Sequence, residues 1–170
     1  MVETSGPRLE RILIAPSRGA AMQERNRVWA EPGRGLAGDR YYAGTGTFSG
    51  RYEVKPGVRE LSLIHAQAIV ECRRRLQADI CAADLRRNLV IEGLPSSGLR
   101  GSCIHIGAVR LEILGSCPPC NYLSRLLNLD MRRGLAYIGG MRARIVAGGW
   151  LVQGEPVETE PSVSPVDQPI

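Results

Sequence analysis

Apolar residues in this chain come mostly in short runs broken by glycine and proline, a spacing that favours strands over helices. Residues 11–15 carry Ile12, Leu13 and Ile14 and read as a first strand, and residues 27–30 read as a second. Residues 31–38 are rich in Gly and Pro and form a loop. A second loop over 41–50, with Gly44, Gly46 and Gly50, is long for a connection of its kind, and long loops are often functional. A third strand is expected over 58–64. Residues 66–76 give the clearest helical period: Ile69, Cys72 and Leu76 share one face while Arg73, Arg74 and Arg75 point outward. A short helix over 82–86 and a strand over 88–91, ended by Gly93, come next. Strands over 102–106 and 110–114 meet at Gly107-Ala108 in a predicted hairpin, and a short helix follows at 121–127. Strands over 142–147 and 150–152 frame Gly148-Gly149, a second hairpin signal. The fold class is therefore mostly β, β-barrel-like, with two or three short helices. Residues 1–154 form the domain. Residues 155–170, with four prolines and four acids, are expected to be a loosely held tail.

Composition narrows this picture in two ways. Phe48 is the only phenylalanine and aromatics make up 5%, so the core must come from Leu, Ile, Val and Ala. The formal charge of +5 is unevenly placed: all four acids of 155–170 lie beyond 22 basic and 13 acidic residues in 1–154, a net of +9 for the body. Such a body attracts anions. Lys55 is the only lysine and the other 21 basic residues are arginine, whose planar fork fits phosphate or carboxylate. Few aromatics interleave with these arginines, so nucleic acid is not expected as a partner. The opening Met1-Val2-Glu3-Thr4-Ser5 is polar and no apolar run approaches ~20 residues, so neither secretion nor a membrane is expected. A cytoplasmic location would keep the five cysteines reduced.

Three motifs carry chemistry. Cys117-Pro118-Pro119-Cys120 is a thiol pair on a turn stiffened by two fixed φ angles. Such a pair can share a zinc ion, exchange with disulfides, present one thiolate as ligand or nucleophile, or simply pack as two small apolar residues. The remaining cysteines and His65 and His105 form no second close pair for zinc, and each histidine reads as structural. A helix starting after Cys120 would favour its thiolate. In Leu85-Arg86-Arg87-Asn88, strand alternation would turn Arg86 and Arg87 to opposite sides, one of them into a site. Gly35-Leu36-Ala37-Gly38-Asp39-Arg40 lets backbone N–H groups approach a ligand, with Asp39 and Arg40 able to pair. A pyridoxal phosphate enzyme would have to use Lys55, in a loop before Pro56, and is not expected.

In order, Gly35–Arg40, Arg59-Glu60-Leu61-Ser62-Leu63-Ile64, Leu85–Gly93, Ile106-Gly107 and Pro119-Cys120 resemble a MOSC domain, the module also found at the C-terminus of molybdenum cofactor sulfurases. The resemblance covers about residues 9–154. It implies a β-barrel-like fold, and in molybdenum-dependent relatives a key cysteine that binds molybdenum alongside the dithiolene of a pyranopterin. Carried over, Cys120 is the catalytic residue and metal ligand. Arg87 and Asn88 would contact the pterin or phosphate, with Gly38, Asp39 and Arg40 at the pocket. The implied chemistry is reduction of N-hydroxylated or N-oxygenated small molecules, with electrons from a separate electron-transfer protein. The alternative is a sulfur carrier bearing a Cys120 persulfide, supplied by a cysteine desulfurase.

Overall fold

The computed structural model describes residues 6–45, 59–95 and 97–162. Lys55, Phe48, Val58, loop residues 46–50 and tail residues 163–170 lie outside the described residues. The strands are β1 Arg8–Ile14, β2 Gln23–Arg25, β3 Arg27–Glu31, β4 Gly35–Leu36, β5 Leu61–His65, β6 Leu89–Glu92, β7 Cys103–Ile106, β8 Val109–Ser116, β9 Met141–Ala147, β10 Gly149–Val152 and β11 Val157–Glu160. The helices are α1 Ala66–Leu76, α2 Asn121–Leu127 and α3 Met131–Gly134, with a 3-10 turn at Ala82–Leu85.

Eight strands make one mixed sheet in the order β11-β7-β8-β9-β5-β6-β1-β2, and β10-β3-β4 make a second. Among the described strands only β5 and β6 run parallel, because the crossover between them is α1 and the 3-10 turn. Alternation sorts side chains to two cores. Leu61, Leu63, Leu89, Ile91, Ala143 and Ile145 face the small sheet, where Val28, Ala30, Leu36 and Leu151 meet them. Ile64, Val90 and Leu13 point the other way, under Ala68, Ile69 and Cys72 of α1, Leu123 of α2 and Met131 of α3. Arg75 ties α1 to the α3 end by donating to the carbonyl of Ala136 at 2.8 Å.

The barrel expectation needs tightening. The large sheet curls until a single antiparallel bridge joins Arg8 to Pro156. Leu9 N–H then donates to Glu155 O at 2.9 Å, and Val157 N–H to Pro7 O at 2.8 Å. The two flanks touch at one point and no closed ladder forms. The same contacts correct the tail expectation as far as residue 162. Val157–Glu160 pairs with β7, Val157 against Ile106 through Glu160 against Cys103. Val157 is 3% exposed in the main core. Its Glu and Thr residues sit at positions where an edge strand meets water, so an acidic composition is compatible with pairing.

The hairpin at Gly107-Ala108 is present, with Ile106 opposite Val109. The one at Gly148-Gly149 is not: β9 stays in the large sheet while β10 pairs with β3 in the small one. A side chain at Gly148 would collide with Ala30 O and the Pro32 ring, so this glycine serves a close crossing between sheets.

Candidate functional site

The site begins with one cross-strand row. Ser62 on β5 lies opposite Arg142 on β9, and the pairing of Leu63 with Leu89 sets Asn88 beside Ser62. Strand alternation puts this row on the helix-covered face, next to Ile64 and Val90. Those two are capped by α1, whereas the row of Ser62 and Arg142 borders a cleft of about 240 Å³. Residues 117–120, expected from sequence as a turn, run without a turn or bend because the two prolines hold them extended, and with Tyr122 and Leu123 of α2 they form its far wall.

Asn88 is fully buried and spends its amide inside the wall. Its Nδ2 donates to Leu13 O at 3.1 Å, and its Oδ1 accepts from Ser62 N–H at 3.0 Å. It holds β1, β5 and β6 together and does not line the cleft, so direct cofactor contact by Asn88 is not what this arrangement offers. Asp39 is likewise sealed at 0% exposure. It accepts from the N–H groups of Ala15 at 3.0 Å and Tyr41 at 3.2 Å, and from Arg40 Nη1 at 3.1 Å. Gly38, at φ +85°, makes the turn that aims Asp39 inward and also stays behind the wall. Asp39 thereby fixes Arg40, whose guanidinium reaches the cleft, lies 4.6 Å from the Tyr41 ring centre and donates from Nη2 to Arg86 O at 3.3 Å.

Arg87 points into the cleft and is held by three carbonyls. Nε donates to Gly139 at 2.7 Å, Nη1 to Leu85 at 3.2 Å and Nη2 to Cys117 at 3.1 Å. Two of its five N–H bonds remain for a ligand. Arg86 also borders the cleft, against the expectation of opposite faces. It adopts φ +57°, outside the strand conformation, so alternation does not apply there. Burial first, and the neighbouring Arg40 second, push the Arg86 pKa down from its ordinary value. Arg59 and Arg142 complete, among the described residues, a lining of five guanidinium groups that includes no carboxylate. Arg142 and Tyr122 were not singled out from sequence. The alternation of Arg142 with buried Ala143 was readable, but only the strand register shows that its face holds a site.

Cys117 and Cys120 both border this cleft. Cys117 is 4% exposed, its N–H donating to Gly140 O at 2.8 Å and its carbonyl held by Arg87. Cys120 is half-buried and precedes α2 as its cap, with its carbonyl accepting from Leu123 N–H at 3.2 Å. Its sulfur accepts no capping hydrogen bond, and the residue both borders the cleft and packs against the helix-side core. Glu60, behind the wall, accepts Gly33 N–H at 3.0 Å and Ile145 N–H at 2.5 Å. Burial raises its pKa above the ordinary value, and the two backbone donors pull it part of the way back. Among the described residues, no three His, Cys, Asp or Glu side chains cluster to hold a metal ion unaided. None of the described helices is long and apolar enough to cross a membrane. His105 pairs with Glu160 at 2.8 Å across β7 and β11, as a structural residue would. His65 borders a separate, more apolar cleft of about 500 Å³ that contains no thiol.

A mostly β domain with a reachable thiol at a guanidinium-lined cleft is the class that fold and site define together. The chain belongs to the MOSC family: the model of the MOSC domain matches residues 38–158. Among solved structures it is similar to the YuaD protein of Bacillus subtilis, with TM-score 0.77, 17% identity, and 90% of this chain and 94% of that one covered. It is also similar to YiiM of Geobacillus stearothermophilus, with TM-score 0.69, 13% identity and coverage of 91% and 75%. For YiiM of Escherichia coli the TM-score is 0.65, the identity 18% and the coverage 92% and 71%. At these identities the likeness is one of fold. No curated protein sequence matches the chain.

Proposed function

We propose that this protein binds a molybdenum cofactor through Cys120 and reduces N-hydroxylated or N-oxygenated small molecules. The observation that carries the reading is the placing of one half-buried thiol among five guanidinium groups of the described lining. The donor set fits the group. A soft thiolate suits molybdenum in a sulfur environment. Among the described residues no set of three ligands gathers to hold a bare ion, which suits a metal that arrives on its own dithiolene. The cofactor's phosphate would find Arg142 and the two free N–H bonds of Arg87, with Arg40 held in place by Asp39. Bound there, the cofactor would supply the metal centre that takes oxygen from the substrate. The stiff, extended Pro118-Pro119 segment keeps Cys120 in one place, and the half-enclosed cleft limits water around it. Electrons would come from a separate protein.

The test is to purify the protein from a host that makes the cofactor and to measure molybdenum and pterin. Wild type should carry both, and Cys120→Ala should lose the metal. Full molybdenum in Cys120→Ala would refute the ligand assignment.

The presence of Cys117 in the same cleft favours a second reading, sulfur carriage on Cys120. It predicts a Cys120 persulfide, seen as one added sulfur by mass, after exposure to a cysteine desulfurase. Turnover of an N-hydroxylated base without that adduct decides for the reductase.

A further inference from the structure

The cleft of about 500 Å³ beside His65 has no task in the function proposed above. It shares a wall with the first cleft. Ser116 on β8 pairs with Met141 on β9 and both border the second cleft, while their chain neighbours Cys117 and Arg142 border the first. Its volume falls within the roughly 300–1,000 Å³ usual for small-molecule sites. Its apolar side chains come from both cores, Leu99, Ile113 and Met141 from the main one and Ala68 and Ile138 from the helix side. The two charged groups of the described lining are not equivalent. Glu71 is already matched: Oε1 accepts from Arg74 Nη2 and Arg75 Nε, and Oε2 from Arg74 Nε, each at 2.8 Å. Arg100 is exposed at the rim and makes no hydrogen bond or ion pair among the described residues. Half-buried His65 makes none there either, and burial holds its pKa below the ordinary value. Tyr137 stands at the mouth with its ring fully exposed and its backbone at φ +65°, a costly conformation that packing of the ring does not account for. Strain of this kind gathers at ligand clamps.

We infer that this second cleft binds amphipathic carboxylates of the medium-chain fatty acid class, with the carboxylate on Arg100 and the hydrocarbon over Leu99, Ile113 and Met141. A guanidinium fork fits a carboxylate with two parallel hydrogen bonds. One unmatched cation suits a single negative charge, whereas a phosphate monoester would bring nearly two. The apolar wall supplies the rest of the affinity, about fourfold for each methylene it takes from water. A neutral imidazole at the same wall adds no charge for the chain to avoid. The inference stands on the second cleft alone and holds whatever the first one binds.

The chain has two histidines, so ring-proton NMR gives one reporter in the cleft, His65, and one outside it, His105, which is paired with Glu160. The purified protein is titrated with decanoate below its micelle concentration, at roughly pH 7.5, where the His65 imidazole is neutral. Decanoate should shift the His65 resonance saturably and leave His105 in place. Octanoate should bind roughly tenfold more weakly, as two fewer buried methylenes require. Acetate, which lacks the chain, should not saturate the shift, and decylammonium, which reverses the charge, should bind about tenfold or more weakly than decanoate. Arg100→Gln, a change at an exposed site, should weaken decanoate about tenfold. Arg142→Gln, across the shared wall, should leave its affinity within about twofold. The proposal is overturned by the lack of a saturable His65 shift, by decylammonium binding as well as decanoate, or by a decanoate affinity that follows Arg142 instead of Arg100. The first two of these outcomes are read on the unsubstituted chain, so a variant that fails to fold does not protect the idea.

Discussion

Glu60 illustrates how a single side chain can be held by two opposing effects. Burial favours its neutral acid, while two backbone N–H groups, one from the turn between β3 and β4 and one from β9, favour two bare oxygens. The hydrogen bonds decide the outcome of substitution. Glu60→Gln removes the charge but turns an amide donor toward either Gly33 or Ile145, leaving one buried N–H facing another donor. The expected loss is about 1–3 kcal/mol, read as a lower urea midpoint at unchanged slope. A neutral or stabilised variant would mean that desolvation dominates. At this scale sequence pointed to the right region of the fold and was misleading about contact. Cys120, Arg87 and Arg40 stand at the cleft as their motifs implied. Asn88, Asp39 and Gly38 build the wall that positions them, because short polar side chains between strands find backbone partners first. A motif records both kinds of residue without distinguishing them.

Elements were legible where their signals were local. The period of Ile69, Cys72 and Leu76 and the run after Cys120 gave α1 and α2 with the observed limits. The helix α3 has four residues, too few to show a period, and β2 has three exposed ones. The partner of β10 was not legible, since Gly148-Gly149 looks the same whether the chain turns back or crosses to another sheet. The last strand makes a sharper case. Its acids and prolines resemble a solvated tail, but Val157 fills the main core between the flanks of the curled sheet. Val157→Ala should therefore cost about 2 kcal/mol, whereas the same change in a free tail would leave thermal unfolding untouched. Calorimetry on the two proteins separates these outcomes.

Over the whole molecule, stability should depend on pH through His65. Burial holds its pKa below the ordinary 6.5. The unfolded chain takes up a proton near that value when the folded one does not, so stability falls as pH drops below about 6.5. It stops falling once the folded imidazole also protonates. His65→Gln should flatten this slope, measured as the difference in urea midpoint between pH 7.5 and pH 5.5, values chosen to bracket the transition at roughly 6.5. An unchanged slope would assign the acid sensitivity to other groups.

The meeting of Pro7 with Val157 has a consequence for where this fold tolerates change. Strand β1 passes Glu92 at Arg8 and reaches Asn88 at Leu13, so the entrance of the chain lies at one pole and the basic cleft at the other. Strand β11 begins beside that pole at Val157 and runs from there along β7 toward Gly101. A side chain changed at this seam would therefore loosen the curl of the sheet while leaving the described lining of the cleft untouched.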